Sequence, residues 1–219
     1  PRSRLSLETG KKAIDFLLAH SGGRRNLEID FFGGEPLLNF EVIQELVAYG
    51  RAAEPPLGKN IRFTITTNGL LLDAAKAAWL NETMDNVILS LDGRKDVNDR
   101  MRPTPGGRGT YDTVVKNFQR FAARRDGTYY VRGTFTADNL DFAADVRHMA
   151  ELGFSRISVE PVVTDPSKPD ALREEHLPAI FAEYDRLADD FLAAERRGAP
   201  FAFFHFKIDL SQGPCGAQQ

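Results

Sequence analysis

The segment LEIDFFGGEP, residues 27–36, places a carboxylate directly after an alternating strand pattern and two glycines. Because glycine has no Cβ, Gly33 and Gly34 would let a ligand approach the backbone and would tolerate unusual φ angles. Glu35 would then lie beyond the carboxyl end of a strand, where α/β enzymes keep their binding groups, and could hold a cationic amino group. Pro36 would stiffen the exit. A helix-capping acid in an ordinary strand-to-helix turn is an equally good interpretation of these four residues alone.

The chain around this segment predicts alternating strands and helices. Strands are predicted at residues 27–32, 61–67, 87–91, 128–136 and 156–162. Helices are predicted at residues 6–20, from Asn39 to near Pro55 and Pro56, and at 73–80, 111–125, 140–152 and 174–196, with a charged loop at 94–109. A repeated strand-helix order indicates a parallel sheet with helices outside it.

One face of each predicted strand carries polar groups, whereas parallel strands covered on both sides are usually apolar throughout. These groups are Glu28, Asp30, Arg62, Thr64, Thr66, Ser90, Asp92, Arg132, Thr134, Thr136, Ser158 and Glu160. A dry barrel with this inner wall would leave many of them unsatisfied, so we predict that it holds a polar ligand. An interior filled with water or salt bridges is the alternative.

Composition argues against several classes of protein. The net charge of −3 comes from 28 basic and 31 acidic residues that are interspersed, which is not the pattern of a nucleic-acid-binding surface. The apolar runs are too short to span a bilayer and no signal peptide is present, so we expect a soluble cytoplasmic protein without a membrane partner. The single cysteine, Cys215, excludes an internal disulfide. The chain begins without Met at Pro1 and stops soon after Cys215, so we expect a piece of a longer protein.

Three motifs at predicted strand ends, GGEP at residues 33–36, TTNG at 66–69 and SLDG at 90–93, together resemble the radical S-adenosylmethionine superfamily. More narrowly, the chain is similar to the peptide maturases that form thioether cross-links in six-cysteine (SCIFF) precursor peptides and carry a C-terminal SPASM or Twitch auxiliary-cluster domain. The segments that carry this resemblance are FFGGEPLLNF, TITTNG, LSLDGRKDVNDRMRPTPGGRGTYD, RGTFTADNLDF, ISVEPVV and FFHFKIDLSQGPC.

The resemblance implies an α/β fold, a partial (β/α)6 TIM-like barrel that lacks the first strand and the cluster loop. Residues 1–200 would supply the second to sixth strands, and residues 201–219 would begin the linker to an auxiliary-cluster domain outside the chain. The Cys-x3-Cys-x2-Cys loop that holds the family's 4Fe-4S cluster is missing and would lie just upstream of Pro1. Because such clusters need cysteine thiolates, we expect this chain alone to be inactive.

The resemblance also implies contacts with S-adenosylmethionine. Residues 33–36 match the motif that binds its methionyl amino group, and Ser90 matches a ribose contact, with Thr66 and Asn68 as weaker candidates. Arg132 would bind the methionyl carboxylate, because a planar guanidinium suits that group. The segment from Val159 through Glu160 to Val162 matches the strand end that lies along adenine. An ordinary satisfied strand residue or an internal ion pair is the alternative for Ser90 and Arg132.

Other residues carry weaker predictions. Cys215 matches a region where auxiliary-cluster ligands begin, although a lone cysteine is more often an inert apolar residue. The candidate proton acceptors are Asp30, Asp92 and Glu160. Four residues of the charged loop would contact peptide or S-adenosylmethionine, or would form a solvated surface: Asn98, Asp99, Arg100 and Arg102. Core or capping roles are expected for the histidines, which are His20, His148, His176 and His205.

The implied activity is cleavage of S-adenosylmethionine to a 5′-deoxyadenosyl radical, followed by bonding of a peptide cysteine sulfur to a peptide carbon. The implied partners are a cysteine-rich precursor peptide and a reductant such as flavodoxin or ferredoxin, and the implied cofactors include auxiliary 4Fe-4S clusters. A different radical maturase, such as one that acts on sulfatases, is the nearest alternative. A cluster-free α/β barrel enzyme, for instance a lyase or a phosphate-binding isomerase, and a non-catalytic peptide-binding module are the others.

Overall fold

The computed structural model describes residues 4–206, in which strands and helices alternate. The strands are β1 (Asn26–Phe31), β2 (Asn60–Thr67), β3 (Asn86–Ser90), β4 (Thr128–Phe135), β5 (Arg156–Pro161) and β6 (Ala202–Phe203). The α-helices are α1 (Leu7–His20), α2 (Phe40–Leu57), α3 (Ala74–Thr83), α4 (Lys95–Met101), α5 (Tyr111–Ala122), α6 (Phe142–Glu151) and α7 (Leu177–Arg196). Short 3-10 turns lie at Pro36–Asn39, Glu174–His176 and Phe204–Phe206.

The strands follow chain order in one sheet, and the pairs β1/β2, β2/β3, β4/β5 and β5/β6 are parallel. This confirms the predicted parallel α/β fold of the partial-barrel type. The short strand β6 was not predicted, because two residues are too few to show an alternating pattern. It begins at Ala202, beyond the boundary at residue 200 that the sequence suggests for the barrel.

The chain divides into two compact units. The first unit is Pro1–Ser90 with Thr113–Tyr129, and the second is Leu91–Asp112 with Tyr130–Gln219. In the first unit the predicted alternation of β2 is confirmed, because Ile61, Phe63 and Ile65 are fully buried while Arg62 is exposed. In the second unit the rings of Phe135 and Phe142 stack at 4.3 Å, and this contact packs β4 against α6.

Helix α2 ends at Leu57, which confirms the predicted end near Pro55 and Pro56. Both prolines lie in its last turn, and neither has an amide hydrogen to donate to the carbonyl four residues earlier. The helix ends at Gly58, whose φ of 61° is the left-handed conformation common at helix ends. Asn39 precedes α2 but does not cap it, because its side-chain amide donates to the carbonyl of Leu5 at 2.9 Å.

The predicted loop at residues 94–109 contains a two-turn helix, α4. The pattern missed it because Val97 is the only buried apolar side chain in the helix, so no apolar periodicity is visible. The other predicted helices and strands are present, with ends that differ by a few residues. Within residues 4–206, no helix is long and apolar enough to cross a membrane.

Candidate functional site

The GGEP turn connects β1 to the 3-10 turn at Pro36–Asn39. Gly33 has a φ of 141°, a conformation that residues with a Cβ rarely adopt. A Cβ added at Gly33 or Gly34 would have no protein atom within 4 Å other than its chain neighbours. The backbone of both glycines is therefore open to the approach of a ligand, as the sequence predicts.

Glu35 accepts three hydrogen bonds, one within the 3-10 turn and two from the end of β2. Its Oε1 accepts from the Leu37 amide at 3.0 Å and from the Thr67 hydroxyl at 2.8 Å, and its Oε2 accepts from the Asn68 amide at 2.8 Å. Glu35 is the N-cap of the 3-10 turn, so the helix-capping interpretation is confirmed. Because a carboxylate offers about four lone-pair positions, one position on Oε2 remains for another donor.

Thr66 carries a buried polar atom that has no hydrogen-bond partner among residues 4–206. Its Oγ1 is buried and makes no hydrogen bond, whereas the hydroxyls of Thr64 and Thr67 on the same strand donate to Glu28 and Glu35. An unsatisfied buried hydroxyl costs about 1–3 kcal/mol, so such groups are uncommon away from ligand sites. This position fits the predicted contact of Thr66 with a polar ligand.

The remaining predicted residues of the first unit lie at neighbouring strand ends. Asn68 is half-buried and its Oδ1 accepts from the Leu70 amide at 3.0 Å. Ser90 is the last residue of β3 and is half-buried. Asp30 lies on β1 with an exposed side chain. The first unit therefore combines an open glycine backbone, a clamped carboxylate and an unsatisfied hydroxyl at the ends of β1 and β2.

In the second unit, Asp92 forms a closed ion pair. Arg102 donates to it from Nε at 2.7 Å and from a terminal nitrogen at 2.9 Å, and the Thr134 amide donates at 3.0 Å. Only 2% of the Asp92 surface is exposed. The salt-bridged interpretation of the polar face is therefore correct at this position, and Asp92 has little freedom to accept a proton.

Of the four loop residues, Asn98, Asp99 and Arg102 are held by the protein, whereas Arg100 is exposed. Asn98 is fully buried and donates to the Thr110 hydroxyl at 3.2 Å. Asp99 accepts from the amides of Thr110 and Tyr111 at 2.7 and 2.8 Å, so it caps the start of α5. Arg100 donates to a backbone carbonyl at 3.3 Å. These contacts leave fewer donors for peptide or cofactor than the sequence suggests.

Arg132 and Val159 differ in whether their side chains are exposed to a ligand. Arg132 has an exposed side chain and no ion-pair partner among residues 4–206, as a ligand-binding guanidinium would require. The Val159 side chain is fully buried, so only its backbone could lie along a ligand. The strand alternation explains the difference, because Arg132 pairs with Ser158 on the polar face and Val159 belongs to the opposite face.

In the described part of the chain, Glu160 has two side-chain hydrogen-bond partners, and one of them contacts a third residue. The Ser158 hydroxyl on β5 donates to its Oε1 at 2.5 Å, and Nε2 of His205, after β6, lies 3.1 Å from its Oε2. The hydroxyl of Tyr184 on α7 lies 2.9 Å from Nδ1 of His205. Burial would raise the pKa of Glu160, but the hydrogen bonds from Ser158 and His205 outweigh it, so the pKa is lowered.

Sequence reasoning missed His205 as a functional candidate. Its partners Glu160 and Tyr184 lie 45 and 21 residues away in the chain, so no local spacing could indicate the contact. The one available signal was the position of a histidine among aromatic residues after a short apolar pair. That signal does not identify the partners of the imidazole.

The chain contains a single cysteine, Cys215, which lies outside the described residues. Within residues 4–206, no group of three or more His, Cys, Asp or Glu side chains could hold a metal ion. One cysteine cannot supply the three thiolates of the family's 4Fe-4S cluster. These residues therefore fit S-adenosylmethionine at the first unit but do not fit the cluster.

A parallel α/β sheet with polar groups at its strand ends is the architecture of a partial-barrel enzyme. The family model of the radical SAM superfamily matches residues 3–134, and the chain belongs to this superfamily. The uncharacterized protein MJ0907 of Methanocaldococcus jannaschii is 36% identical over 111 residues, which are 50% of this chain and 37% of that protein. The serine-type anaerobic sulfatase-maturating enzyme of Klebsiella aerogenes is 29% identical over 101 residues, which are 46% and 25% of the two chains.

Two solved structures share the fold. The structure of anSMEcpe with bound AdoMet and Kp18Cys peptide has a TM-score of 0.80 at 18% identity and covers 94% of this chain and 57% of that chain. The structure of SuiB from Streptococcus suis bound to the precursor peptide SuiA has a TM-score of 0.64 at 18% identity and covers 92% and 42%. The chain thus spans about a quarter to three fifths of the length of these proteins.

Proposed function

We propose that the protein containing these residues cleaves S-adenosylmethionine and uses the resulting 5′-deoxyadenosyl radical to modify a ribosomally made peptide. The observation that carries the cofactor part is the unpaired buried hydroxyl of Thr66, on the strand whose end is clamped by Glu35. A ligand that brings polar groups to this edge would satisfy the hydroxyl. The superfamily to which the chain belongs supports S-adenosylmethionine as that ligand.

The roles of single residues follow the resemblance and the contacts of each unit. In the first unit, the turn at residues 33–36 would bind the methionyl amino group, with the free lone pair of Glu35 as one acceptor. Thr66, Asn68 and Ser90 would bind the polar groups of the ribose edge.

In the second unit, the exposed guanidinium of Arg132 would bind the methionyl carboxylate. The backbone at Val159 and Glu160 would lie along adenine.

The cluster and the later electron transfers would depend on residues outside residues 4–206. When bound, the 4Fe-4S cluster supplies the electron that breaks a carbon–sulfur bond of S-adenosylmethionine. Cys215 is proposed as a ligand of an auxiliary 4Fe-4S cluster in a C-terminal domain, and flavodoxin or ferredoxin as the reductant. The barrel would occupy residues 1–200, with residues 201–219 leading toward that domain.

The proposed product is a thioether between a cysteine and a carbon of a cysteine-rich precursor peptide. Its support is the resemblance of the segment at residues 90–112 and of the segment at residues 203–215 to the maturases of six-cysteine peptides. A sulfatase-type peptide oxidation is the second candidate, because two relatives are anaerobic sulfatase-maturating enzymes. Both candidates act on a peptide.

The product decides between these candidates. The full-length gene product would be reconstituted without oxygen and incubated with S-adenosylmethionine, dithionite and a cysteine-rich precursor peptide encoded beside its gene. A thioether lowers the peptide mass by two hydrogen atoms and removes one thiol from reaction with iodoacetamide. A sulfatase-derived peptide that is oxidised while the precursor peptide stays unchanged would favour the second candidate. If neither peptide changes while 5′-deoxyadenosine forms, both substrate proposals are wrong.

A further inference from the structure

Three carboxylates were candidates for accepting a substrate proton, and their surroundings separate them. Asp92 is sealed by Arg102 and the Thr134 amide, with 2% of its surface exposed. Asp30 is exposed on β1. Glu160 combines an accessible side chain, 30% exposed, with fixed partners on β5 and beyond β6.

The partners of Glu160 define where the protons lie. Since Glu160 is ionised at neutral pH, Nε2 of His205 carries a proton and donates it to Oε2. When Nε2 carries the only ring proton, Nδ1 is an acceptor for the Tyr184 hydroxyl, which lies 2.9 Å from it. Burial, followed by the charge of Glu160, raises the pKa of Tyr184, so its hydroxyl keeps its proton. Tyr184 therefore fixes the tautomer of His205 that supports the Glu160 carboxylate.

The remaining charged group that faces Glu160 is Arg132, on the neighbouring strand β4. Arg132 pairs in register with Ser158, and its charge adds to the lowering of the Glu160 pKa. Among the described residues, Ser158 and His205 contact the carboxylate, Arg132 acts on it through its charge, and Tyr184 contacts His205. They hold one edge of the carboxylate and keep it ionised, while part of its surface stays open.

We propose that Glu160 is the catalytic base that accepts the proton of the peptide thiol, and that His205 and Tyr184 are positioning residues that hold Glu160 for this step. The proposal rests on the proposed peptide modification. The 5′-deoxyadenosyl radical removes a hydrogen atom from the peptide carbon, the S–H bond breaks, an O–H bond forms on Glu160, and the sulfur electron pair bonds to the carbon radical. The one surplus electron passes to an iron–sulfur electron acceptor, which the proposed function assigns to residues outside 4–206. A carboxylate with a low pKa suffices because a thiol proton becomes strongly acidic as its sulfur forms the new bond. Oxidation of a thiol-bearing residue releases the same proton.

The first test separates proton transfer from radical formation in the reconstituted full-length gene product. Glu160→Gln is expected to lower the rate of peptide modification by about 100-fold, within the usual range for general base catalysis, while 5′-deoxyadenosine still forms. Glu195→Gln is the matched control, because Glu195 is exposed on α7 and makes no side-chain contact. Peptide modification by Glu160→Gln within about twofold of the wild-type rate would overturn the proposal.

The positioning residues are tested by the pH profile. Because His205 helps to lower the pKa of Glu160, His205→Phe is expected to move the acid limb of the modification rate toward neutral pH. His205→Gln keeps a donor near Oε2 and should restore part of the shift. Tyr184→Phe should move the limb in the same direction by less. A slower rate with an unchanged acid limb in His205→Phe would mean a structural role only, and would contradict the assignment.

A cofactor-free measurement keeps the proposal separate from the proposed function. Carboxyl carbon shifts of glutamate-labelled protein, followed by NMR against pH, should give Glu160 a pKa below its ordinary value, and His205→Phe should raise it. Imidazole nitrogen shifts should show a proton on Nε2 of His205 and not on Nδ1. A Glu160 pKa that does not change in His205→Phe, or a proton on Nδ1, would overturn the positioning roles even if the radical chemistry is present. Failure of the wild type to form 5′-deoxyadenosine would instead contradict the proposed function.

Discussion

Glu35 in the first unit lies four residues beyond the end of β1, and Asp92 in the second unit lies two residues beyond the end of β3, yet their surroundings differ. Glu35 accepts from two backbone amides and a threonine hydroxyl, and it retains a lone pair beside open glycines. Asp92 is closed by a guanidinium that binds both of its oxygens. A carboxylate that lies shortly after a strand thus keeps a free lone pair in one unit and is closed by an ion pair in the other.

The two units differ in whether their buried polar side chains find partners within the protein. In the second unit, arginines neutralise the buried acids, and Arg94 pairs with the fully buried Asp145 at 2.8 Å as Arg102 does with Asp92. In the first unit, the buried Thr66 hydroxyl has no protein partner. A polar strand face therefore indicates a ligand only where its groups remain unsatisfied in the folded chain.

The largest expected effect is on the closed ion pair. Arg102→Met leaves the Asp92 carboxylate buried without its charged partner, so we expect the free energy of unfolding to fall by about 3–5 kcal/mol. Urea denaturation measures the change. Arg108→Met is the control, because Arg108 is exposed and its side chain makes no contact, and it should change stability by less than about 0.5 kcal/mol. If Arg102→Met and Arg108→Met lower the free energy of unfolding equally, the ion pair at Asp92 does not stabilise the second unit.

Glu35→Gln should have the next largest effect. The amide of glutamine cannot accept from both sides, so at least one of the three donors loses its partner, and stability should fall by about 2 kcal/mol. Thermal or urea unfolding gives the value. Glu45→Gln, at an exposed position of α2, should be close to neutral. If Glu35→Gln leaves the free energy of unfolding unchanged, the three hydrogen bonds of Glu35 do not stabilise the turn.

Two neighbouring threonines sharpen the comparison within β2. Thr66→Val removes an unsatisfied hydroxyl, so stability without ligand should change by less than about 0.5 kcal/mol. Its binding of S-adenosylmethionine, measured by calorimetry on the reconstituted full-length protein, should weaken by about tenfold, or 1.4 kcal/mol. Thr67→Val instead breaks the bond to Glu35 and should cost about 1 kcal/mol of stability. Unchanged affinity in Thr66→Val would argue that the hydroxyl does not face the ligand.

The smallest effect concerns acid stability in the second unit. The folded-state pKa of Glu160 is lowered, so its contribution to stability is present above the unfolded value of about 4.3 and is lost as pH falls through the lower folded value. The side chain is partly exposed, so this contribution should be about 0.5 kcal/mol or less. Urea unfolding at pH 7 and in acid should show the loss in the wild type and its absence in Glu160→Gln.

The strand-helix order and the GGEP turn could be predicted from the sequence because both depend on local pattern. The cap at Glu35 depends on the Leu37 amide two residues away, and the alternation of β2 places Phe63 inside and Arg62 outside. The alternation of β5 likewise predicts the opposite faces of Val159 and Glu160, although it does not show that Val159 is closed to ligand.

Contacts between distant residues could not be predicted. Arg102 reaches Asp92 because α4 forms inside a segment with one buried apolar residue, and His205 reaches Glu160 across 45 positions. The sequence shows each of these charges but not its partner, and the partner decides whether a charge is free to act. The salt-bridged interpretation of the polar face is therefore correct at Asp92, and the ligand-binding interpretation stays a prediction for the first unit.

The most direct test of the central claim is the formation of 5′-deoxyadenosine by the full-length gene product, reconstituted without oxygen and given S-adenosylmethionine and dithionite. Mass spectrometry should detect 5′-deoxyadenosine in the wild type, a clear decrease in Thr66→Val, and none when dithionite is omitted. Absence of 5′-deoxyadenosine from a preparation that holds its iron and sulfide would contradict the account. The polar strand ends of the first unit would then need another ligand.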